Sequence, residues 1–178
     1  MSREIVLDQL GRVPRPPGYE LPGGASDADI NQFEERTGTS LPSSLREWLK
    51  TVNGAMIGPG GTYGICPNDD YLDIETNLGR FPEWTRIGWL PVAGDGTGNY
   101  YVAATDASPQ PGGSIHFVEA MESVEEPAFI VGSDMWHFLR GLFSRELGEE
   151  WWPFDERRTL KADPDLSRYT ELTLPWMK

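Results

Sequence analysis

At 178 residues the chain has the length of one domain, or one domain with a tail, and 38% hydrophobic with 11% aromatic residues is too apolar for disorder. Its 28 acids against 15 bases give a formal net charge of −13, which argues against nucleic acid or an anionic membrane as a partner, since both need a cationic face. The lone cysteine, Cys66, rules out an intramolecular disulfide and a thiolate metal cluster, and two histidines, His116 and His137, leave little for His-based chemistry.

The first ten residues carry Glu4 and Asp8 where a signal peptide needs an apolar core. No run reaches the ~18 apolar residues of a membrane span. The expected location is therefore the cytoplasm. Residues 1–24 read as a short helix or extended piece with Ile5, Val6, Leu7 and Leu10 on one face, followed by a loop rich in proline and glycine. A helix is expected from Ser26, whose spacing to Asp29 makes a capping box, with Ile30 and Phe33 on one face and Gly38 as the stop. A second begins at Pro42-Ser43, places Leu45, Trp48, Leu49 and Val52 in one buried stripe, and ends at Asn53-Gly54.

From Tyr63 onward the pattern changes to short apolar runs broken by turns. Strands are expected at 62–65, 87–92, 99–104, 114–119 and 128–131. The short connections at 94–98 and 108–113 are rich in glycine, which implies antiparallel hairpins rather than βαβ units. Ser133 reads as the N-cap of a third helix burying Met135, Phe138, Leu139, Leu142 and Phe143. After Gly148 the aromatic cluster Trp151-Trp-Pro-Phe154 precedes a mostly polar stretch. So many aromatics are expected to dock on the domain rather than face solvent.

The order of these features resembles the SUKH superfamily, which includes the fungal cell-wall regulators of the Smi/Knr type. The resemblance rests on Ile30, Phe33-Glu34, Gly38, Leu41-Pro42, Trp48-Leu49 and Asn53-Gly54, then on Gly94-Asp95-Gly96, the strand at 114–117 and the helix at 133–143. It implies a single α+β domain, a mainly antiparallel sheet flanked by helices. The expected division is a Pro/Gly-rich segment at 1–24, the domain at 25–147 and an extension at 148–178. The resemblance also implies a non-enzymatic binding protein. Bacterial members are mostly immunity proteins that neutralise secreted toxins, and fungal members act as regulatory scaffolds.

The residues themselves support no catalytic, cofactor or metal site. The glycine-rich stretches at 58–64 and 94–98 lack the Lys-Ser/Thr of a phosphate loop, and turn formation explains both. Asp95 and Asn99 stand almost alone as oxygen ligands, too few for an EF-hand. There is no Gly-x-Ser-x-Gly nucleophile elbow, so a small hydrolase or nucleotide-binding enzyme is the least supported alternative.

Charge placement is the strongest functional signal. Residues 51–139 hold twelve acids and only two bases, Arg80 and Arg86, a net −10. Such a surface serves solubility, or it steers and complements a basic protein partner. Nuclease toxins grip phosphates and tend to be basic. The expected partner-binding residues are therefore Asp69, Asp70, Tyr71, Asp73 and Glu75 in one cluster, and Glu122, Glu125 and Glu126 in another. Tyr63 and Trp84 are further aromatic candidates, whereas Trp48 and Trp136 suit the core.

Overall fold

The computed structural model describes residues 2–178; Met1 lies outside the described residues. Seven α-helices surround a four-stranded antiparallel sheet whose spatial order follows the chain: β1 (Trp89–Gly94), β2 (Tyr100–Ala104), β3 (Ile115–Val118) and β4 (Phe129–Gly132). The α+β class is as expected. The helices are α1 (Ser2–Leu10), α2 (Asp27–Thr37), α3 (Ser43–Leu49), α4 (Ile74–Arg80), α5 (Pro82–Ile87), α6 (Met135–Glu146) and α7 (Glu156–Ala162).

Local chemistry accounts for the early helices. Ser26 and Asp29 close a reciprocal capping box, with Asp29 N–H donating to Ser26 Oγ at 3.1 Å and Ser26 N–H to Asp29 Oδ2 at 3.0 Å. Gly38 ends α2 at φ 66°, a left-handed conformation that glycine adopts without strain. Helix α3 stops at Leu49, earlier than the apolar spacing suggests. Val52 is buried, but from the turn after the helix, where its N–H donates to Trp48 O. Trp48 itself is 0% exposed and meets Trp136 and Phe143 edge-on, each at 6.1 Å between ring centroids.

Adjacent residues of β2 show how the sheet is covered. Side chains alternate across a strand, so Tyr100 and Tyr101 point to opposite faces. Tyr100 meets Phe81 and Trp84 of the α4–α5 side at 5.1 and 5.2 Å, and Tyr101 meets Phe138 of α6 at 4.9 Å. Cover on both faces explains why every residue of β1 is buried. Both edges are covered too. Tyr63 N–H and Gly94 N–H bond across the outer side of β1 to Val92 O and Gly61 O, and Ile130 N–H of β4 donates to Thr173 O. Pro91 sits beside a register shift on the β1 edge, where its missing N–H costs no ladder bond.

Several boundaries differ from the sequence reading. Residues 62–65 form isolated bridges, Thr62 with Ala55 and Ala93 and Gly64 with Asp73, because the partner changes from residue to residue and no ladder builds up. Ile87 ends α5, and β1 starts only after Gly88 turns the chain at φ 81°. Asp134, not Ser133, caps α6 by accepting from His137 N–H; Ser133 instead donates its N–H and Oγ–H to Asp163 at 2.7 and 2.6 Å. The sequence reading assigned no helix at α4, α5 or α7, which are six or seven residues long and largely polar.

The segments at the two ends pack on α6. Val6 and Leu10 of α1 are buried, and Gln9 Nε2 donates to Ser144 Oγ at 2.9 Å. Trp152 is buried against Tyr101 and Phe138, and its Nε1–H donates to Val131 O at 3.2 Å. Phe154 remains exposed.

Candidate functional site

A path of aromatic contacts runs through the molecule from the first acidic cluster to the second. Tyr71, in the short 3-10 turn Asp70–Leu72, meets Tyr63 edge-on at 6.3 Å; Tyr63 meets Tyr100 at 6.4 Å; and Tyr100 meets Trp84 at 5.2 Å. Trp84 Nε1–H then donates at 2.7 Å to Val124 O, inside the loop that follows β3. Burial of the Tyr63 hydroxyl raises its pKa, so this linking ring is neutral and structural.

Within these clusters the acids have different tasks. Asp73 caps α4: its Oδ2 accepts from Thr76 N–H and Oγ1–H, both at 2.8 Å, and its Oδ1 accepts from Cys66 N–H at 3.0 Å. Asp69 accepts from Tyr71 N–H at 2.9 Å and shapes the turn. Glu75 pairs with Arg36 at 2.5 Å, and Glu125 pairs with Arg86. Asp70, Glu122 and Glu126 are exposed, and among the described residues their side chains form no hydrogen bond or ion pair. They are the acids whose charge is uncompensated. Tyr71, 42% exposed, stands beside the first, and Met121, 92% exposed, stands beside the second. Met121 escaped the sequence reading; an apolar residue among loop acids was the signal.

Other candidates prove structural. Asp95 holds its hairpin with four bonds, from Thr97 N–H, Thr97 Oγ1–H, Asn99 N–H and Asn99 Nδ2 at 2.7–3.0 Å. Burial works to raise its pKa, but these bonds outweigh burial and lower it. His116 is 1% exposed on β3, with Nε2 2.8 Å from Ser114 Oγ, and burial lowers its pKa to about 4. His137 lies on α6 with Nδ1 2.9 Å from Asp134 Oδ1. Burial depresses its pKa, while Asp134 and Asp163 together more than reverse that. Among the described residues no three His, Cys, Asp or Glu side chains are placed to hold a metal ion.

The sequence offered no sign of a cleft of about 500 Å³ between α2 and the α4–α5 pair. It borders the first acidic cluster through Glu75 and Arg36, and Leu78, Thr85 and Trp89 lie on its walls. Its parts come from segments some fifty residues apart, so only the fold assembles it.

Residues 24–141 match the model of the SMI1 / KNR4 family (SUKH-1). A crystal structure of a protein from Pseudomonas syringae pv. tomato has a similar fold, with a TM-score of 0.58 at 15% identity, covering 77% of this chain and 94% of that one. A comparison with curated proteins finds no match.

Proposed function

Because the chain belongs to the SMI1 / KNR4 family (SUKH-1), whose members are compatible with immunity-type or regulatory binding roles, we propose that it is a non-enzymatic immunity protein that neutralises a secreted toxin by direct binding, the toxin being a basic nuclease domain. The reading rests on one observation above the rest: the uncompensated acids Asp70, Glu122 and Glu126 lie in two loops that also expose Tyr71 and Met121. Charge steers a basic partner to these loops, and the aromatic and thioether groups supply the desolvated contacts that charge alone does not. The cleft beside Glu75 offers room for an anchoring side chain of the partner.

The test is co-expression with the toxin domain encoded beside this chain, together with association rates at two salt concentrations. Wild-type association is expected to slow as the Debye length falls from ~10 Å at 0.1 M to ~3 Å at 1 M. The triple variant Asp70→Asn, Glu122→Gln, Glu126→Gln is expected to associate more slowly at low salt with a flatter salt dependence. Its stability should stay within about 0.5 kcal/mol, since none of the three supports the fold. Full protection and wild-type rates in the triple variant would reduce the acidic loops to a solubilising surface. An unrelated neighbouring gene would favour the alternative, a regulatory scaffold without a toxin partner.

A further inference from the structure

In a chain of net charge −13, one cavity is walled by bases. It has a volume of about 340 Å³, lies between α1, α6 and α7, and gathers Arg12, Arg140, Arg158 and Lys161 around Gln9, with Glu149 the one acid among the lining residues. Apart from Arg140 and Ser144 on α6, its walls come from α1, the turn after it and residues after 148. Every lining residue but Arg140 lies outside the 24–141 span of the family match.

The bases are only partly used. Glu149 Oε2 accepts from Trp151 Nε1–H at 2.9 Å and stands 3.8 Å from Arg158. Arg140 spends one N–H on Ala162 O at 3.1 Å, and Arg12 pairs at 3.3 Å with Asp8, an exposed contact that solvent weakens. Lys161 makes no hydrogen bond or ion pair among the described residues. The Gln9 side chain is 4% exposed, and although its Nε2 donates to Ser144 Oγ, its buried Oε1 has no hydrogen-bond partner. That acceptor is closed off from the cavity, so it is a cost to the fold and not a contact for a ligand.

We propose that this cavity binds a small phosphomonoester, a ligand the size of a sugar phosphate or a nucleoside monophosphate. Four cations, with Glu149 in the lining and Asp8 beside Arg12 as the opposing acids, leave a net charge of about +2 that suits the ≈ −1.5 to −2 charge of a phosphomonoester better than a single carboxylate. Guanidinium forks grip phosphate oxygens in pairs, and the Lys161 ammonium adds a mobile point charge. The volume is at the lower end of the ~300–1,000 Å³ range of small-molecule sites, too small for a long polyanion.

Isothermal titration of the full chain with glucose 6-phosphate, AMP and inorganic phosphate tests this, with glucose and adenosine as uncharged controls. Saturable one-to-one binding is expected for at least one phosphomonoester and none for the controls. The double variant Arg12→Gln, Lys161→Gln changes two exposed side chains, one in the turn after α1 and one on α7, and should keep the wild-type thermal midpoint while weakening binding at least tenfold; Arg158→Gln is the parallel variant. The proposal is overturned if no phosphomonoester binds, if both charge variants bind as wild type, or if inorganic phosphate binds as tightly as every ester.

Discussion

His116 is packed away on β3 with only Ser114 Oγ for its ring, and burial holds its pKa near 4 against an ordinary value of 6.5. A histidine whose pKa is depressed on folding gives up stability as pH falls, because the unfolded chain takes the proton first. That loss begins near pH 6.5 and is complete below about pH 4, and the shift corresponds to roughly 3 kcal/mol. Thermal midpoints measured from pH 7 to pH 4 should therefore fall for wild type and fall less for His116→Gln. Equal acid limbs would mean that His116 stays neutral in neither state. His137 has the opposite sign: its raised pKa favours the folded state at low pH, and that contribution fades as pH rises through the folded value. Two histidines on different elements thus pull the stability profile from opposite sides.

At the scale of elements, short pieces are held by single contacts. Helix α4 has seven residues, too few to persist alone, and Asp73 caps its start while tying down the Cys66 loop. Asp73→Ala is expected to cost about 1 kcal/mol, the usual loss of an N-cap, whereas Asp73→Asn keeps a good cap and should cost much less. Denaturant midpoints of the two variants separate capping from charge, and equal midpoints would show that the cap contributes nothing. The other end of the chain depends on a glycine. A Cβ at Gly141 would lie 2.2 Å from Trp152 Cδ1, so the indole sits directly on the α6 backbone. Gly141→Ala should push Trp152 outward, cost ~1–3 kcal/mol by overpacking, and shift tryptophan emission to the red. An unchanged spectrum with an unchanged midpoint would place the contact outside the stability of the fold.

Over the whole molecule the charges are unevenly divided. The middle of the chain supplies most of the negative field, while bases collect where α1 and α7 meet α6. Like charges on one compact body repel, which lowers stability when salt is scarce. Raising ionic strength from ~0.01 M to ~0.15 M shortens the Debye length from ~30 Å to ~8 Å and should raise the thermal midpoint. The exposed ion pairs lost to screening are each worth less than a kcal/mol and do not offset this. A midpoint that falls over the same range would show that the paired charges outweigh the repulsion.

What could be read from residues alone was whatever short-range physics decides. The Ser26–Asp29 cap, the Gly38 stop, the apolar face of α6 and the four strands between turn residues depend on spacing within a few positions, and the structure has them. The family pattern belongs to the same class, since it is made of such local features in order. Helices α4, α5 and α7 were not legible, because their short polar sequences become helical only when Leu78, Trp84 or Ala162 finds a surface to bury against. The acidic residues could be named from sequence. Their division into ion pairs and uncompensated charges could not, because the partners Arg36 and Arg86 stand 39 residues from Glu75 and Glu125 and are chosen by how the chain returns on itself. The basic cavity is the extreme case: Gln9 and Lys161 stand at opposite ends of the sequence, and only the docking of both ends on α6 brings them to one wall.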